Sequence, residues 1–522
     1  MLPVVSDPET PHVGRAVSGS DIVLVALNAR WSHASFGLRC LKANLGPLRD
    51  RCTLLERTID DRAADVVEAI FALSPRVVGL SVYIWNATEM LAVAKLLRAL
   101  RPDIVVVMGG PEVSHETDEQ ELTTLAHHVV VGEGEDAFRE LCLVLLRDKP
   151  GLHMLPEKII KGGSPDLEKM PSPYPLYDDV DLKDRVVYVE ASRGCPFTCE
   201  FCLSSLDEKV RAFPLEPFLA EMQTLMDRGL NTFKFIDRTF NLKIDITEKI
   251  ITFFLERMRP GLFVHFEMVP DRLPPSLRAL LVQFPPGAVQ LEVGIQTFDA
   301  EVGRRIRRKQ NVPALEDNLR FLRRETGAHI HADLIVGLPG EDLGTFAKGF
   351  DRLVALDPNE IQVGILKRLR GAPIAKHTDE HQMVYGTTPP YEVLQTSTLS
   401  FADLQRMKRF ARFFDLVKNS GRLLRTAKLL LAGDSAFVSF LAFSDWLYAE
   451  TGARHGISAA RLAELCTRYL IDVVDVDRAA LEAALVADLG EDRALSLLSP
   501  TVATPKTAKP KGIPARQARH LA

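Results

Sequence analysis

No run of about eighteen uninterrupted apolar residues occurs in this 522-residue chain, so nothing in it reads as a membrane-spanning helix. The stretch from Met1 to Gly19 mixes Asp, Glu, Pro and Ser without an apolar centre, which argues against a secretory signal. An excess of charge is also missing. A net charge of -5 and a pI near 6.3 leave no global basic field for a nucleic-acid backbone, so nucleic acid is not expected as a partner. Cysteines are few and odd in number, at positions 40, 52, 142, 195, 199, 202 and 466. Such a set suits reduced thiols and a cytoplasmic setting better than a disulfide framework. What is plentiful is apolar content, 46%, enough over this length for two or three domains with a core each.

From residue 20 to about 150, short β-branched runs alternate with helical segments. The strand candidates are Ile22–Leu27, Val77–Val82, Ile104–Met108 and Val129–Val131. Apolar runs without alternation read as parallel strands buried on both faces, which makes this part a doubly wound, Rossmann-like (flavodoxin-like) α/β domain. Ligands of such sheets bind beyond the strand C-termini. Those loops hold Trp31 and His33 after the first strand, and Ser81, Trp85 and Asn86 after the second. Gly109, Gly110, Pro111 and Glu112 follow the third, and Gly132, Glu133 and Gly134 the fourth. Each glycine pair either admits a bulky ligand close to the backbone or is an ordinary loop turn.

Prolines at 156, 165, 171, 173 and 175 mark residues 151–185 as a linker. Six strand candidates follow, Val186–Ala191, Phe233–Ile236, Val264–Met268, Val289–Val293, Ile330–Val336 and Glu360–Leu366, separated by helical segments such as Glu216–Arg228 and Ala314–Glu325. Six β/α repeats over 186–389 suggest a partial (β/α)6 barrel of the TIM type, with its active face at the strand C-termini. From about Pro390 to Leu498 the pattern turns all-α, with helices expected over Phe401–Asn419, Arg422–Ala432, Ala436–Glu450 and Ala459–Tyr469. The ends, 1–19 and 499–522, read as disordered tails. The second is basic, carrying Lys506, Lys509, Lys511, Arg516 and Arg519 without Asp or Glu.

The most telling spacing is Cys195-Pro-Phe-Thr-Cys199-Glu-Phe201-Cys202. Three thiolates can each take one iron of a [4Fe-4S] cubane and leave the fourth iron bare. A zinc site or unrelated reduced thiols are the alternatives, and zinc would want a fourth Cys or His nearby.

The CxxxCxxC triplet with its aromatic Phe201 resembles the signature of the radical S-adenosylmethionine (SAM) superfamily. The resemblance implies that SAM chelates the unique iron and is cleaved to a 5′-deoxyadenosyl radical. Joined to four loops on one sheet edge, it is similar to the cobalamin (B12)-binding radical SAM proteins, in the branch with an uncharacterised C-terminal helical domain. The expected cofactors are then a [4Fe-4S] cluster, SAM and cobalamin, with Trp31, His33, Ser81, Trp85, Asn86, Gly109, Gly110, Pro111, Glu112, Gly132, Glu133 and Gly134 around the corrin. The chain departs from the base-off fingerprint Asp-x-His-x-x-Gly, with Trp31 where Asp would stand and Gly37 four residues past His33. That departure weakens the case for His33 as the cobalt ligand, and the roles of ligand and of hydrogen-bonding loop residue both stay open.

On the barrel, the resemblance places Asp237 near the SAM amino group, with a helix N-cap as the plain alternative. Glu267, among apolar neighbours, implies a ribose hydroxyl or a basic partner. Glu292 and Gln296 belong to an E-x-G-x-Q motif, Arg308 would clamp the SAM carboxylate, and Gly337 would let the backbone approach adenine. The activity implied is methylation of an unactivated carbon or phosphorus centre through methylcobalamin. Oxidative cyclisation or rearrangement without methyl transfer and a non-catalytic cobalamin or redox sensor are the alternatives. The expected partners are a small-molecule or peptide substrate and an external electron donor such as flavodoxin or ferredoxin. The helical C-terminal region, which would shield substrate, argues against a tRNA methylthiotransferase.

Overall fold

A computed structural model describes residues 20–147 and 157–498, so both expected tails lie outside the described residues. The N-terminal sheet has six parallel strands: β1 (Ile22–Asn28), β2 (Cys52–Thr58), β3 (Val77–Ser81), β4 (Val105–Gly109), β5 (His128–Val131) and β6 (Ile159–Lys161). Their order, β2-β1-β3-β4-β5-β6, reverses direction between β1 and β3, where a doubly wound sheet opens its ligand crevice. Every residue of β1 is buried. Its Val23, Val25 and Leu27 pack on the helix faces of Val66, Ile70 and Val93, while Ile22, Leu24 and Ala26 pack on Leu38, Phe138 and Leu141.

Two strands escape the sequence pattern, and both are edges. β2 ends in Glu56, Arg57 and Thr58, which an edge tolerates because its free side leaves room for partners such as Arg39 and Arg185 on Glu56. β6 lies inside the proline-rich stretch expected as a linker, so that stretch completes the first sheet before it leads to the helix Asp179–Asp184.

The second sheet is also parallel and six-stranded: β7 (Val187–Val189), β10 (Thr232–Phe235), β11 (Phe263–Met268), β12 (Val289–Gln296), β13 (His329–Val336) and β14 (Glu360–Ile365). It runs in simple chain order with β7 and β14 at its edges, as a partial barrel does. Between β7 and β10, the short antiparallel pair β8 (Ser192–Arg193) and β9 (Arg211–Ala212) brackets the cysteine loop. In β12 and β13 burial alternates strictly. Leu291, Val293, Ile330 and Ala332 face the helices, while Gln290, Glu292, His331 and Asp333 take the other face, so the barrel interior is polar.

The C-terminal region opens with a hairpin, β15 (Val384–Tyr385) and β16 (Val393–Gln395), which the sequence pattern does not show. Helices then span Phe401–Phe414, Leu424–Leu430, Ala436–Thr451, Ala459–Asp472, Arg478–Leu489 and Glu491–Leu498. The first starts at a reciprocal capping box between Ser400 and Asp403. Its Phe410 and Phe414 stack edge-on against Phe350 of the helix that follows β13, at 5.1 and 5.3 Å between ring centroids. One apolar core therefore runs through barrel and cap.

The N-terminal domain is tied to the barrel by a buried charge quartet. Arg39 pairs with Glu56 at 2.7 Å and Asp181 at 2.5 Å, and Arg185 pairs with the same two carboxylates at 2.9 Å each. No helix among the described residues is long and apolar enough to cross a membrane.

Candidate active site

The cysteine loop leaves β7 under tight backbone control. Asp237, buried at the end of β10, accepts hydrogen bonds from the Ala191 amide at 3.0 Å and the Ser192 hydroxyl at 2.6 Å. Burial pushes its carboxyl up to about 6, against those donors. Both oxygens thus position the start of the loop. Gly194 takes φ +91° and a Cβ there would meet the Lys209 carbonyl oxygen at 2.2 Å, so only glycine fits the turn into Cys195. The Cys195 amide then donates to the Asp207 carbonyl at 2.9 Å, and the Cys202 amide to that of Cys199 at 3.1 Å.

All three thiols are free, Cys195 and Cys199 buried and Cys202 half-buried. Burial raises the Cys195 thiol, the neighbouring Cys202 and Cys199 raise it further, and Arg308 opposes them. Around one zinc ion, sulfurs bonded at ~2.3 Å would stand about 3.8 Å apart. These sulfurs are spread wider. Among the described residues the group whose ligand atoms all fall within 4.8 Å of one another is His377, Glu380 and His381. The triad is spread beyond that limit, so its thiols as placed do not close around a single ion, and three thiolates are the donor set a cubane takes.

Arg308 reaches the same loop, with Nη1 3.6 Å from the Cys199 sulfur and Nη2 donating to the Gly294 carbonyl. A Cβ on Gly294 would lie 2.4 Å from Nε2 of the Gln296 side chain, which would have to turn away. Gln296 itself sits at φ +71° where the β12–β13 register slips. The E-x-G-x-Q segment is thus a local irregularity that seats Arg308 against the cysteines.

Glu267 and Glu292 occupy paired rungs of β11 and β12. His265 donates to Glu292 at 3.0 Å and pulls its carboxyl down to about 2. The basic partner expected for Glu267 is Arg238, at 3.4 Å. Arg238 keeps open surface, yet burial is the largest influence on it, followed by Glu267 and Cys202. Burial likewise dominates Glu267 and Tyr83, raising both, and Arg238 also acts on Tyr83. Cys202, half-buried, and Arg238 and Glu267, both open in part, thus lie near Tyr83 of the loop after β3, at the cleft where the two loop edges face each other.

That loop presents Trp85, 46% exposed and stacked on Tyr83 at 4.2 Å with 13° between planes. Trp31, after β1, is also exposed. Asn86 is buried and fixes the turn, accepting from the Tyr83 amide and donating to the Leu27 and Ser81 carbonyls. The other expected cofactor loops reach the domain interface. His33 shares a 2.7 Å hydrogen bond with the Tyr188 hydroxyl, and burial followed by Lys234, Arg30 and Arg185 lowers its basicity. Gly110 (φ +112°) turns against the Val82 carbonyl and leads through Pro111 to Glu112, which accepts from Tyr391 at 2.5 Å and Arg370 at 3.0 Å. Gly132 and Gly134 flank Glu133, which pairs with Arg193 at 3.0 Å and with Arg211. The C-terminal loop edge of the first sheet therefore packs onto the cysteine hairpin and the exit of β14.

A second opening, about 700 Å3, lies between the barrel and the cap. Phe201, Ile335 and Gly364 line it from the barrel, and Lys408 and Arg412 from the cap. The space expected at Gly337 is filled instead, since a Cβ there would meet Val393 of β16 at 2.5 Å. Ile335 and Gly364 border the opening beside Phe201, and Gly337 is not among its lining residues. His265, Arg238, Ile335 and Gly364 were not among the expected residues, although the period-two alternation of β12 and β13 pointed to an inward polar face.

Three family models match in order: the B12 binding domain over residues 22–142, the radical SAM superfamily over 189–353, and a protein family of unknown function, DUF4080, over 379–490. The chain belongs to the B12-binding radical SAM proteins. The 2-(S-pantetheinyl)-carbapenam-3-carboxylate methyltransferase of Streptantibioticus cattleyicolor is 28% identical over 350 residues, 60% of this chain and 49% of its own. The cobalamin-dependent radical SAM methyltransferase TokK of Streptomyces tokunonensis is 28% identical over 353 residues, 60% of this chain and 50% of its own. This B12-binding radical SAM protein thus spans about half the length of these curated relatives. Its fold is shared with the radical SAM methyltransferase TsrM of Kitasatospora setae, at TM-score 0.55 and 19% identity over 73% of this chain and 80% of that one. It is shared also with the cobalamin-dependent radical enzyme OxsB, at TM-score 0.56 and 13% identity over 92% and 78%.

Proposed function

We propose that this protein is a cobalamin-dependent radical SAM methyltransferase acting on an unactivated carbon or phosphorus centre of a small-molecule substrate. The observation that carries the reading is a B12 binding domain whose loop edge packs on the cysteine hairpin of a radical SAM domain, through Glu133 with Arg193 and Arg211. A reductively cleaved sulfonium and a corrin must share one enclosed space, and this packing joins the cysteine loop to the loop edge of a B12-binding sheet.

When bound, the cluster and SAM supply a 5′-deoxyadenosyl radical and cobalamin supplies the methyl group. The chain's own share is placement and exclusion of water. Cys195, Cys199 and Cys202 hold the cluster, and Arg308 sets their electrostatic surroundings. Phe201, Ile335 and Gly364 bed the adenine, and Arg238, exposed on its cleft side, meets a carboxylate better than Arg308, whose two terminal nitrogens are turned to Cys199 and Gly294. The Tyr83–Trp85 stack offers a flat apolar wall to a corrin face. The helical cap closes the substrate side, where a radical needs protection from solvent. Electrons come from an external donor such as flavodoxin or ferredoxin.

Anaerobic reconstitution with hydroxocobalamin, SAM and dithionite, followed by assay for 5′-deoxyadenosine and S-adenosylhomocysteine, tests the proposal. Formation of both supports methyl transfer. 5′-Deoxyadenosine alone moves the assignment to oxidative cyclisation, and neither product overturns it.

A further inference from the structure

The ligand-like group His377, Glu380 and His381 lies away from the cleft. The chain leaving β14 makes a short 3-10 turn over Pro373–His377 and reverses through Gln382 at φ +48°, bringing residues at i, i+3 and i+4 to one side. Both imidazoles are buried, at 7% and 9% exposure. Nε2 of His381 is shut off from solvent and has no hydrogen-bond partner; the nearest carboxylate oxygen, of Glu380, is 3.7 Å away. An orphaned buried nitrogen is costly, and an ion is one of the few things that satisfies it.

The other imidazole is prepared in the complementary way. Glu200, 1% exposed, accepts the Nε2 proton of His377 at 2.6 Å, which leaves the lone pair on Nδ1. A carboxylate behind a histidine is how metal-binding imidazoles are commonly oriented. The second oxygen of Glu200 is held by Lys376 and by Arg307 at 3.0 Å, so this orienter is itself fixed. Arg305, the other cation beside His381, is turned to the Pro339 carbonyl at 2.6 Å and to Glu301 at 3.6 Å.

We infer that His377, Glu380 and His381 form a binding site for a divalent transition-metal ion of the Zn2+ type, separate from the cysteine triad. Two imidazoles and one carboxylate suit that ion and leave a fourth position for water. Because Glu200 stands between Cys199 and Phe201, and its carbonyl accepts from the Ile374 amide at 2.8 Å, the ion would fasten the cluster loop to the chain leaving the barrel.

The test uses the full-length, anaerobically purified protein carrying its cluster, dialysed against chelator and titrated with Co2+ as the probe. The expected result is about one Co2+ per chain with visible d–d bands, displaced by Zn2+. His381→Gln loses the bands, and so does Glu380→Gln, whose side chain is 75% exposed and whose fold is checked by circular dichroism. The Cys195/Cys199/Cys202→Ala triple variant keeps them, which separates this site from the cluster. Wild-type protein without Co2+ bands, bands that persist in both single variants, or bands lost only with the cysteines would overturn the inference.

Discussion

The two sheets have the same strand count and the same parallel sense, yet they are built for opposite purposes. In β1 every side chain is buried, so both faces of that sheet are sealed by helices and a ligand meets only its loop edge. In β12 burial alternates residue by residue, so one face is sealed and the other is a polar wall carrying Glu292 and Gln296. A sheet sealed on both faces can present a large planar cofactor at its rim. A sheet with a polar interior can enclose a nucleoside. Rim and interior meet where Arg238 lies near both Tyr83 and Cys202, a junction that neither sheet forms alone.

The comparison breaks most visibly where the sheets are joined. Arg39→Ala leaves Glu56 and Asp181 with Arg185 as their one remaining cation in a buried interface, and removing one partner of a buried pair costs about 3–5 kcal/mol. Denaturant unfolding should show that loss. A difference near zero would mean the domains are held otherwise.

Paired glycine substitutions sharpen the contrast between a sealed and an open face. A Cβ on Gly79 of β3 would lie 2.6 Å from Leu24 and 3.4 Å from Phe138, whereas one on Gly364 of β14 meets only the Leu334 carbonyl at 3.6 Å. Gly79→Ala is expected to destabilise by about 1–3 kcal/mol through overpacking. Gly364→Ala should stay within about 0.5 kcal/mol of the parent while weakening SAM binding measured by equilibrium dialysis. Equal effects on stability would erase the distinction.

The smallest expected effect is a pH dependence peculiar to the polar wall. Glu292, held at about 2 by His265 against an ordinary value of 4.5, contributes stability that is complete above pH 4.5 and lost as pH falls towards 2. With the side chain partly open to the cleft, that contribution is about 1 kcal/mol after solvent screening. The stability gap between the parent and Glu292→Gln should therefore narrow between pH 5 and pH 3. A constant gap would contradict the His265–Glu292 pairing.

Legibility followed locality. The central strands of both sheets were readable because their apolar runs are continuous or strictly alternating, and the cysteine loop because its spacing is the chemistry. β2 was not, since an edge strand ending in Glu56 and Arg57 carries no apolar signal, nor was β6, hidden among prolines. Glu112 and Glu133 read as cofactor-loop residues because their partners, Tyr391 and Arg193, lie in another domain. The packing of Val393 beside Gly337 is illegible for the same reason, since that side chain arrives 56 residues later. For Asp237 the sequence shows the strand end but not that its oxygens hold the backbone entering the cysteine loop.

The central claim is that Cys195, Cys199 and Cys202 carry a cubane whose open iron faces the shared cleft. Electron paramagnetic resonance of the reduced protein with isotope-labelled SAM tests it directly. The account predicts a [4Fe-4S]+ signal that shifts on adding SAM and shows coupling to labelled methionyl nitrogen and carboxylate. Zinc bound by the three cysteines in place of iron, or an iron–sulfur signal indifferent to SAM, would contradict it.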